Sequence, residues 1–325
     1  MITETVGDLP VPTEADLALH HLPREIAVHD AHMATVPGMN LVETGGAACP
    51  APLPFPITVG AWNLERCLFP EDSAQKVAYC DVVLVSEMDN GMARTAQRNT
   101  TRDMAGHLGM GYAYAVEFLE LGLGSPIEHE FCTADFNARG YHGNGLMARS
   151  ALIAPFALRL WGQRQWFSDA EQPRLGERIA VGARLETVAG PMIAVSTHLE
   201  SACGPEHRER QVRGLIAELD AAFPGMPVLI GGDLNTGNHN NGDWRAEGLF
   251  DAARAAGYSI HGGPDDQQTT RPSLITRWPE RAMKLDWFLA RGLRIGETAI
   301  RSSLDGNGRP LSDHDAVVTR VLGLA

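Results

Sequence analysis

The sequence predicts an α/β fold, and three observations predict it. Apolar runs of strand length recur along the chain, stretches with helical spacing separate them, and run after run ends on Asp, Asn, Glu or His. The central run is Val228-Leu229-Ile230-Gly231-Gly232-Asp233-Leu234-Asn235. A short block of β-formers between Pro227 and two glycines reads as a strand covered on both faces, delivering its last polar residues to an open edge. On extended backbone, residues two apart share a face, so Asp233 and Asn235 are expected to address one small ligand together.

Residues 1–56 differ from the rest. They carry Pro10, Pro12, Pro23, Pro37, Pro50, Pro52, Pro54 and Pro56 and one amphipathic stretch, residues 14–32. They read as an N-terminal extension packed on a main domain of residues 57–325. His20, His21, His29 and His32 have no Cys or Glu at a ligand spacing and read as solvated helix-face residues.

The main domain opens with a strand at 57–63 ending on Asn63, a short helix at 71–79, and a strand at 82–87 ending on Glu87. Residues 90–108 read as a helix closed by Gly109, with Arg94, Arg98 and Arg102 on one solvated face. An alternating strand at 112–118 leads into a Gly-rich loop, 119–139, expected at the mouth of a site. His142-Gly143-Asn144-Gly145 reads as a turn. Strands follow at 179–185 and 192–199, the second delivering His198. Val212, Leu215, Ile216, Leu219 and Phe223 recur at helical spacing over 206–223, and Pro224-Gly225 stops that helix. A second helix is expected at 243–256, a strand carrying Asp286 at 284–289, and a final strand at 316–321 preceded by Asp313 and His314.

Composition narrows the function classes. With 44% hydrophobic and 21% charged residues the chain reads as an ordinary soluble globular protein. A formal net charge of -13 disfavours a nucleic-acid binder, which needs a basic surface to neutralise phosphates. The longest apolar stretch, 151–161, is broken by Pro155 and Arg159 and is too short to span a bilayer. Five cysteines without CxxC spacing indicate neither a disulfide framework nor a zinc knuckle, and the first ten residues show no secretory pattern, so a cytoplasmic location is expected. No GxSxG elbow, phosphate loop, HExxH or GxGxxG is present.

The polar inventory at the strand ends is Asn63, Glu87, His198, Asp233, Asn235, Asp286, Asp313 and His314. Carboxylate and amide oxygens without cysteine suit a hard cation such as Mg²⁺ or Mn²⁺. Two histidines beside carboxylates can transfer protons and hydrogen-bond a phosphate oxygen. Phosphoester hydrolysis needs a positioned water, charge neutralisation on the non-bridging oxygens and stabilisation of the leaving oxygen, and this inventory offers a candidate for each.

The ordered series WN, SE, THL, GDLN, LDW and SDH resembles the endonuclease/exonuclease/phosphatase superfamily, over about four fifths of the chain. Each motif is weak alone; six in the family's order are specific. The resemblance implies a four-layer sandwich, two central mixed β-sheets flanked by helices, with one divalent-metal site at the sheet edges. It makes Glu87 the principal metal ligand, supported by Asn63 and Asp313. It implies that Asp233 orients or deprotonates water, that Asn235 holds a phosphate oxygen, that His314 contacts the phosphate with Asp286 fixing its ring, and that His198 is a second acid or phosphate contact. Asn144, with His142 in the same HGN motif, falls on the substrate side. Ser86 stands where the family usually has Gln, and Trp287 where Tyr often follows the Asp; neither change removes a catalytic group. The THL motif points to the deoxyribonuclease, sphingomyelinase and deadenylase side of the family. The expected function is therefore a metal-dependent phosphodiesterase on a small or lipid-like phosphoester. A nuclease with the same catalytic groups and a catalytically silent binding protein on the same fold are the alternatives.

Overall fold

The structure, a computed structural model, describes residues 1–19, 23–168, 172–280 and 282–325. In chain order the strands are β1 (Thr5–Val6), β2 (Val42–Gly46), β3 (Ile57–Arg66), β4 (Val82–Asn90), β5 (Gly111–Glu120), β6 (Tyr141–Ala148), β7 (Ile153–Arg159), β8 (Arg174–Gly176), β9 (Ile179–Thr187), β10 (Gly190–His198), β11 (Val228–Asp233), β12 (Ser259–His261), β13 (Asp286–Arg291), β14 (Leu293–Arg301) and β15 (Ala316–Leu324). The helices are α1 (Glu14–Leu17), α2 (Ile26–Thr35), α3 (Pro70–Val77), α4 (Thr100–Leu108), α5 (Gln165–Ser168), α6 (Pro205–Ala222) and α7 (Gly248–Ala255).

Two mixed sheets form the centre. One runs β1-β2-β5-β6-β4-β3-β15-β14 with β8 added along β5; the other runs β12-β13-β11-β10-β9-β7. Side-chain alternation explains why both are buried on two faces. In β4, Val82 and Leu84 enter the core between the sheets, whereas Val83 and Val85 enter a core that also takes in Ala74 and Val77 of α3 and Met104 of α4. In β11, Leu229 faces the other sheet, and Val228 and Ile230 join a core with Val212 and Leu215 of α6 and Leu249 of α7. The result is the helix–sheet–sheet–helix sandwich. Gly232 is required where β11 lies on β10: its φ is +148° and a Cβ there would stand 1.9 Å from the Thr197 carbonyl oxygen.

Residues 1–56 do more than cover the domain, because β2 pairs antiparallel with β5 and carries β1 beyond it, extending the first sheet. His29 is buried rather than solvated, with Nδ1 2.9 Å from Asp30 and Nε2 3.1 Å from the Gly176 carbonyl. His20 and His21 lie outside the described residues. No helix among the described residues is long and apolar enough to cross a membrane.

Three expected elements change. The helix over 90–108 survives only as α4, capped by the Asn99 side chain and closed by Gly109 at φ 63°. Arg94 is the reason for the shortening: it lies on no solvated face but is buried, with bidentate bonds to Asp89 at 2.8 Å and further bonds to Glu120 at 2.8 Å and Glu128 at 2.9 Å. Such a cation leaves water only when carboxylates surround it, and that requirement overrides local helix propensity. Arg98 and Arg102 do stay at the surface, paired with Asp103 and Asp8. The helix over 243–256 likewise begins only at Gly248, after a 3₁₀ turn at Trp244–Ala246. The HGNG segment is no turn; it lies inside β6, paired with β4 and β5.

The Arg94 cluster predicts acid sensitivity. Burial alone would raise the Glu128 pKa, but Arg66 and Arg94 outweigh it and hold the group at about 2, below its ordinary 4.5. The lowered value means that the stabilisation is complete above about pH 4.5 and is lost as pH falls toward 2. Replacing Arg94 by Ala strands three buried carboxylates and should cost about 3–5 kcal/mol. Urea unfolding at neutral pH should show that loss, and the acid-unfolding midpoint of the variant should move to higher pH; an unshifted midpoint would contradict the assignment.

Candidate active site

Strand register builds half of the site. His198 at the end of β10 pairs with Asp233 at the end of β11, and Asp233 pairs with Asp286 at the start of β13. Directly opposed residues share a face, so imidazole and two carboxylates stand in one row at the sheet's edge. His198 Nε2 lies 3.6 Å from Asp233 Oδ2.

The facing sheet supplies Asn63 from β3 and Glu87 from β4, and both strands bulge there. The β3–β4 register shifts between Asn63 and Arg66, and the β4–β6 register between Val85 and Met88. Glu65, Arg66, Cys67 and Glu87 take positive φ of 44°, 78°, 57° and 57°, a conformation that non-glycine residues hold only under local constraint. The bulge turns Glu87 outward. Its side chain is 19% exposed, against 2% for Asp233 and none for Asp286. Asn63 joins the two sheets, its Nδ2 donating to Glu87 Oε1 and to Asp233 Oδ2, each at 3.0 Å, while its Oδ1 accepts from the Glu65 backbone.

The segment before β15 closes the site. Trp62 donates to the His314 carbonyl at 2.8 Å, and the Ser312 hydroxyl donates to the Asn63 carbonyl at 2.6 Å. His314 Nδ1 meets Asp286 at 2.8 Å, and its Nε2 points toward Asp233 Oδ2 at 3.6 Å and Asp313 Oδ1 at 3.8 Å. Burial disfavours a charged ring, but Asp286, Asp313 and Asp233 together raise the His314 pKa to about 10. The same charge works in reverse on Asp233: burial would raise it, and His314 and His198 hold it below the usual carboxylate range. Asp286 goes the other way, raised because burial outweighs its partner.

The remaining predicted residues sit at different distances from this centre. Asn235 reaches Asp233 through its backbone N–H at 2.8 Å, not by sharing an extended face, because its φ is +50°. Its side chain is engaged elsewhere, donating to the Leu199 carbonyl at 2.9 Å and accepting from Asn238 at 2.5 Å. His142 stands behind Glu87, with Nε2 4.0 Å from Oε2 and Nδ1 2.9 Å from Asp89. Asn144 donates to the Ile179 carbonyl at 2.8 Å, and its buried Oδ1 has no partner among the described residues.

Several groups escaped the sequence reading. Arg66 binds Glu87 and, at 2.8 Å, Glu128, tying the site to the Arg94 cluster. Arg178 donates to Glu117 at 2.5 Å and to His198 Nδ1 at 2.9 Å. The same guanidinium nitrogen lies 3.1 Å from His198 Nε2, and His198 Nδ1 is 3.5 Å from Glu117 Oε1. Glu65 is buried against the Asp313 backbone, and burial together with the Asp313 charge pushes its pKa up to about 7. A charged residue inside an alternating apolar strand, as Glu117 is in β5, was the available signal.

The donor set fits a hard cation. Glu87, Asp233, Asp313 and Glu65 present carboxylate oxygens, no thiolate is among them, and the Glu65–Asp313 pair concentrates negative charge that a cation would relieve. Ligand atoms of Asp233, Asp286 and His314 also lie within 4.8 Å of one another.

A search of curated proteins finds no match in sequence. Solved structures match the fold. An endonuclease/exonuclease/phosphatase from Beutenbergia cavernae DSM 12333 is 15% identical with a TM-score of 0.59, covering 83% of this chain and 72% of that one. A functionally unknown conserved protein from Enterococcus faecalis V583 is 17% identical with a TM-score of 0.56, covering 82% of this chain and 100% of that one. The human Nocturnin catalytic domain with bound sulfate anion is 16% identical with a TM-score of 0.55, covering 86% of this chain and 96% of that one. The family model for the Endonuclease/Exonuclease/phosphatase family matches residues 60–314, which span every motif from Asn63 to His314. The chain belongs to the endonuclease/exonuclease/phosphatase family, a family of phosphoester hydrolases.

Proposed function

We propose that this chain hydrolyses a small phosphodiester by in-line attack of water, with Mg²⁺ or Mn²⁺ as cofactor. The supporting observation is the convergence on Asp233, whose Oδ2 lies 3.6 Å from Nε2 of both His198 and His314 and shares the Asn63 amide with Glu87. A bound divalent cation would supply Lewis-acid polarisation and neutralise charge on the phosphoryl oxygens. Glu87, with Asn63 and Asp313, would hold it.

The chain's own groups divide the remaining work. Asp233, kept ionised by two imidazoles, orients the attacking water and accepts its proton. His314, charged and braced by Asp286, donates from Nε2 to a non-bridging phosphate oxygen. His198, held between Arg178 and Glu117 and with Nε2 3.6 Å from Asp233, presents Nε2 as a second phosphate contact or, when its ring is charged, as the acid for the leaving oxygen. Asn235 fixes Asp233 from its backbone, and its Nδ2, which gives one hydrogen to the Leu199 carbonyl, keeps the second to offer a phosphate oxygen. His142 and Asn144 complete the substrate side, His142 through Glu87. The charge of -13 supports a small substrate over a polynucleotide.

Hydrolysis of bis-p-nitrophenyl phosphate with Mn²⁺ tests this reading. Glu87→Ala and His314→Ala should each lower the rate by about 100-fold or more, and a chelator should abolish it. Variants as active as the parent would remove the proposed site. Asp286→Asn keeps the shape of the side chain but removes the charge that favours imidazolium. Its rate should fall by roughly 10-fold. In nitrogen NMR of the protein with chelator, the His314 ring should titrate below the parent's value of about 10. An unchanged titration would refute the coupling.

A further inference from the structure

The N-terminal extension forms one wall of a cavity of about 630 Å³, and no residue of the proposed centre lines it. Met33 and Ala34 line it from α2, Leu158 and Leu160 from β7 and the chain just after it, and Leu215 and Ala217 from α6. A cavity of this size, mostly apolar with a few polar groups, has the make-up of a small-molecule site.

Glu177 is the polar group that gives the cavity its chemistry. Its residue, in the short link between β8 and β9, is only 7% exposed, and it lines the cavity. Oε1 accepts from the Arg164 backbone N–H and lies 3.9 Å from that residue's Nε. Oε2 has no hydrogen-bond partner among the described residues, yet it is not sealed from solvent. It stands against Gly162, a second lining residue, where a Cβ would come within 1.8 Å of it. Arg159, also on the wall, does not serve it, because its guanidinium bonds the carbonyls of Met39, Glu117 and Glu177. Burial accordingly pushes the Glu177 carboxyl up to about 7, as expected of an acid short of donors.

A separate feature leaves the space open. Gly214 lies in the middle of α6 on the cavity wall, where glycine weakens a helix relative to alanine. A Cβ there would meet no atom within 4 Å, so no packing contact calls for glycine. Charge then selects the guest. The carboxylates of Asp30, Glu177 and Glu218 outnumber the guanidinium groups of Arg159 and Arg164 on the lining, which favours a cation over an anion.

We infer that this cavity binds a small apolar molecule carrying a primary amine, its ammonium donating to Glu177 Oε2 and its body lying against the leucines and Gly214. The ammonium supplies the donor that the carboxylate lacks, and the apolar body covers surface that α2, β7 and α6 leave open.

Titrations of the full chain followed by NMR test the assignment with phenethylamine, phenethyl alcohol and hydrocinnamate, which share one body and differ in the terminal group. The amine should bind about 10-fold or more tightly than either of the others, the range expected of a charge-assisted hydrogen bond. Glu177→Gln keeps the shape of the side chain and should remove that preference. Gly214→Leu, which projects into the open space from a different element, should weaken all three probes by about 10-fold or more. Thermal unfolding near the parent's temperature confirms that each variant is folded. No binding of the amine, equal affinities across the series, or an amine preference that survives either substitution would overturn the site.

Discussion

Asp233 is a carboxylate wholly buried at the end of an apolar sandwich, and a charge in that position persists only if donors surround it. Much of the site can be understood as meeting that requirement. Asn63 reaches it from the opposite sheet, Asn235 turns its backbone N–H back onto it, and two imidazoles approach its second oxygen. In the function proposed above, the contacts that stabilise the charge are the ones that would handle a phosphoester, because neutralising a buried carboxylate and positioning proton donors around a reacting centre demand the same geometry.

A second tier of buried charge supports the first. Arg66 links Glu87 to Glu128, Arg94 gathers Asp89, Glu120 and Glu128, and His142 spans from Asp89 toward Glu87. On the other side Arg178 joins Glu117, His198 and Glu200. These pairs fix the orientation of Glu87 and His198 from behind, as outer partners do in sites that must hold a ligand rigidly. Loop 121–140 takes part through Glu128 and is thereby anchored to the strand ends.

How much of this was legible depended on the range of the interaction. Strand ends carrying Asn63, Glu87, His198, Asp233 and Asp286 could be read because alternation and strand length are local properties, and register then placed three of them in a row. Arg94 was misread because helical spacing is equally local, whereas the carboxylates that bury it come from positions 89, 120 and 128. Asn235 was misplaced for a related reason. Extended geometry ends at Asp233, and a left-handed residue two positions later sends the side chain toward Leu199 and Asn238.

By itself the sequence determined the α/β class, the positions of the main strands and helices, and the types of group at the strand ends, since burial pattern and residue chemistry are written residue by residue; the four-layer arrangement was an implication of the family resemblance in its ordered motifs. Tertiary structure alone decided which groups meet, how the bulges at Glu65–Cys67 and Glu87 aim them, and which arginines are buried. It also decided the charge states: His314 lies well above an ordinary histidine and Asp233 below an ordinary carboxylate only because segments up to 170 positions apart fold to within a few ångströms. Electrostatic energy depends on distance in space, which spacing along the chain does not encode.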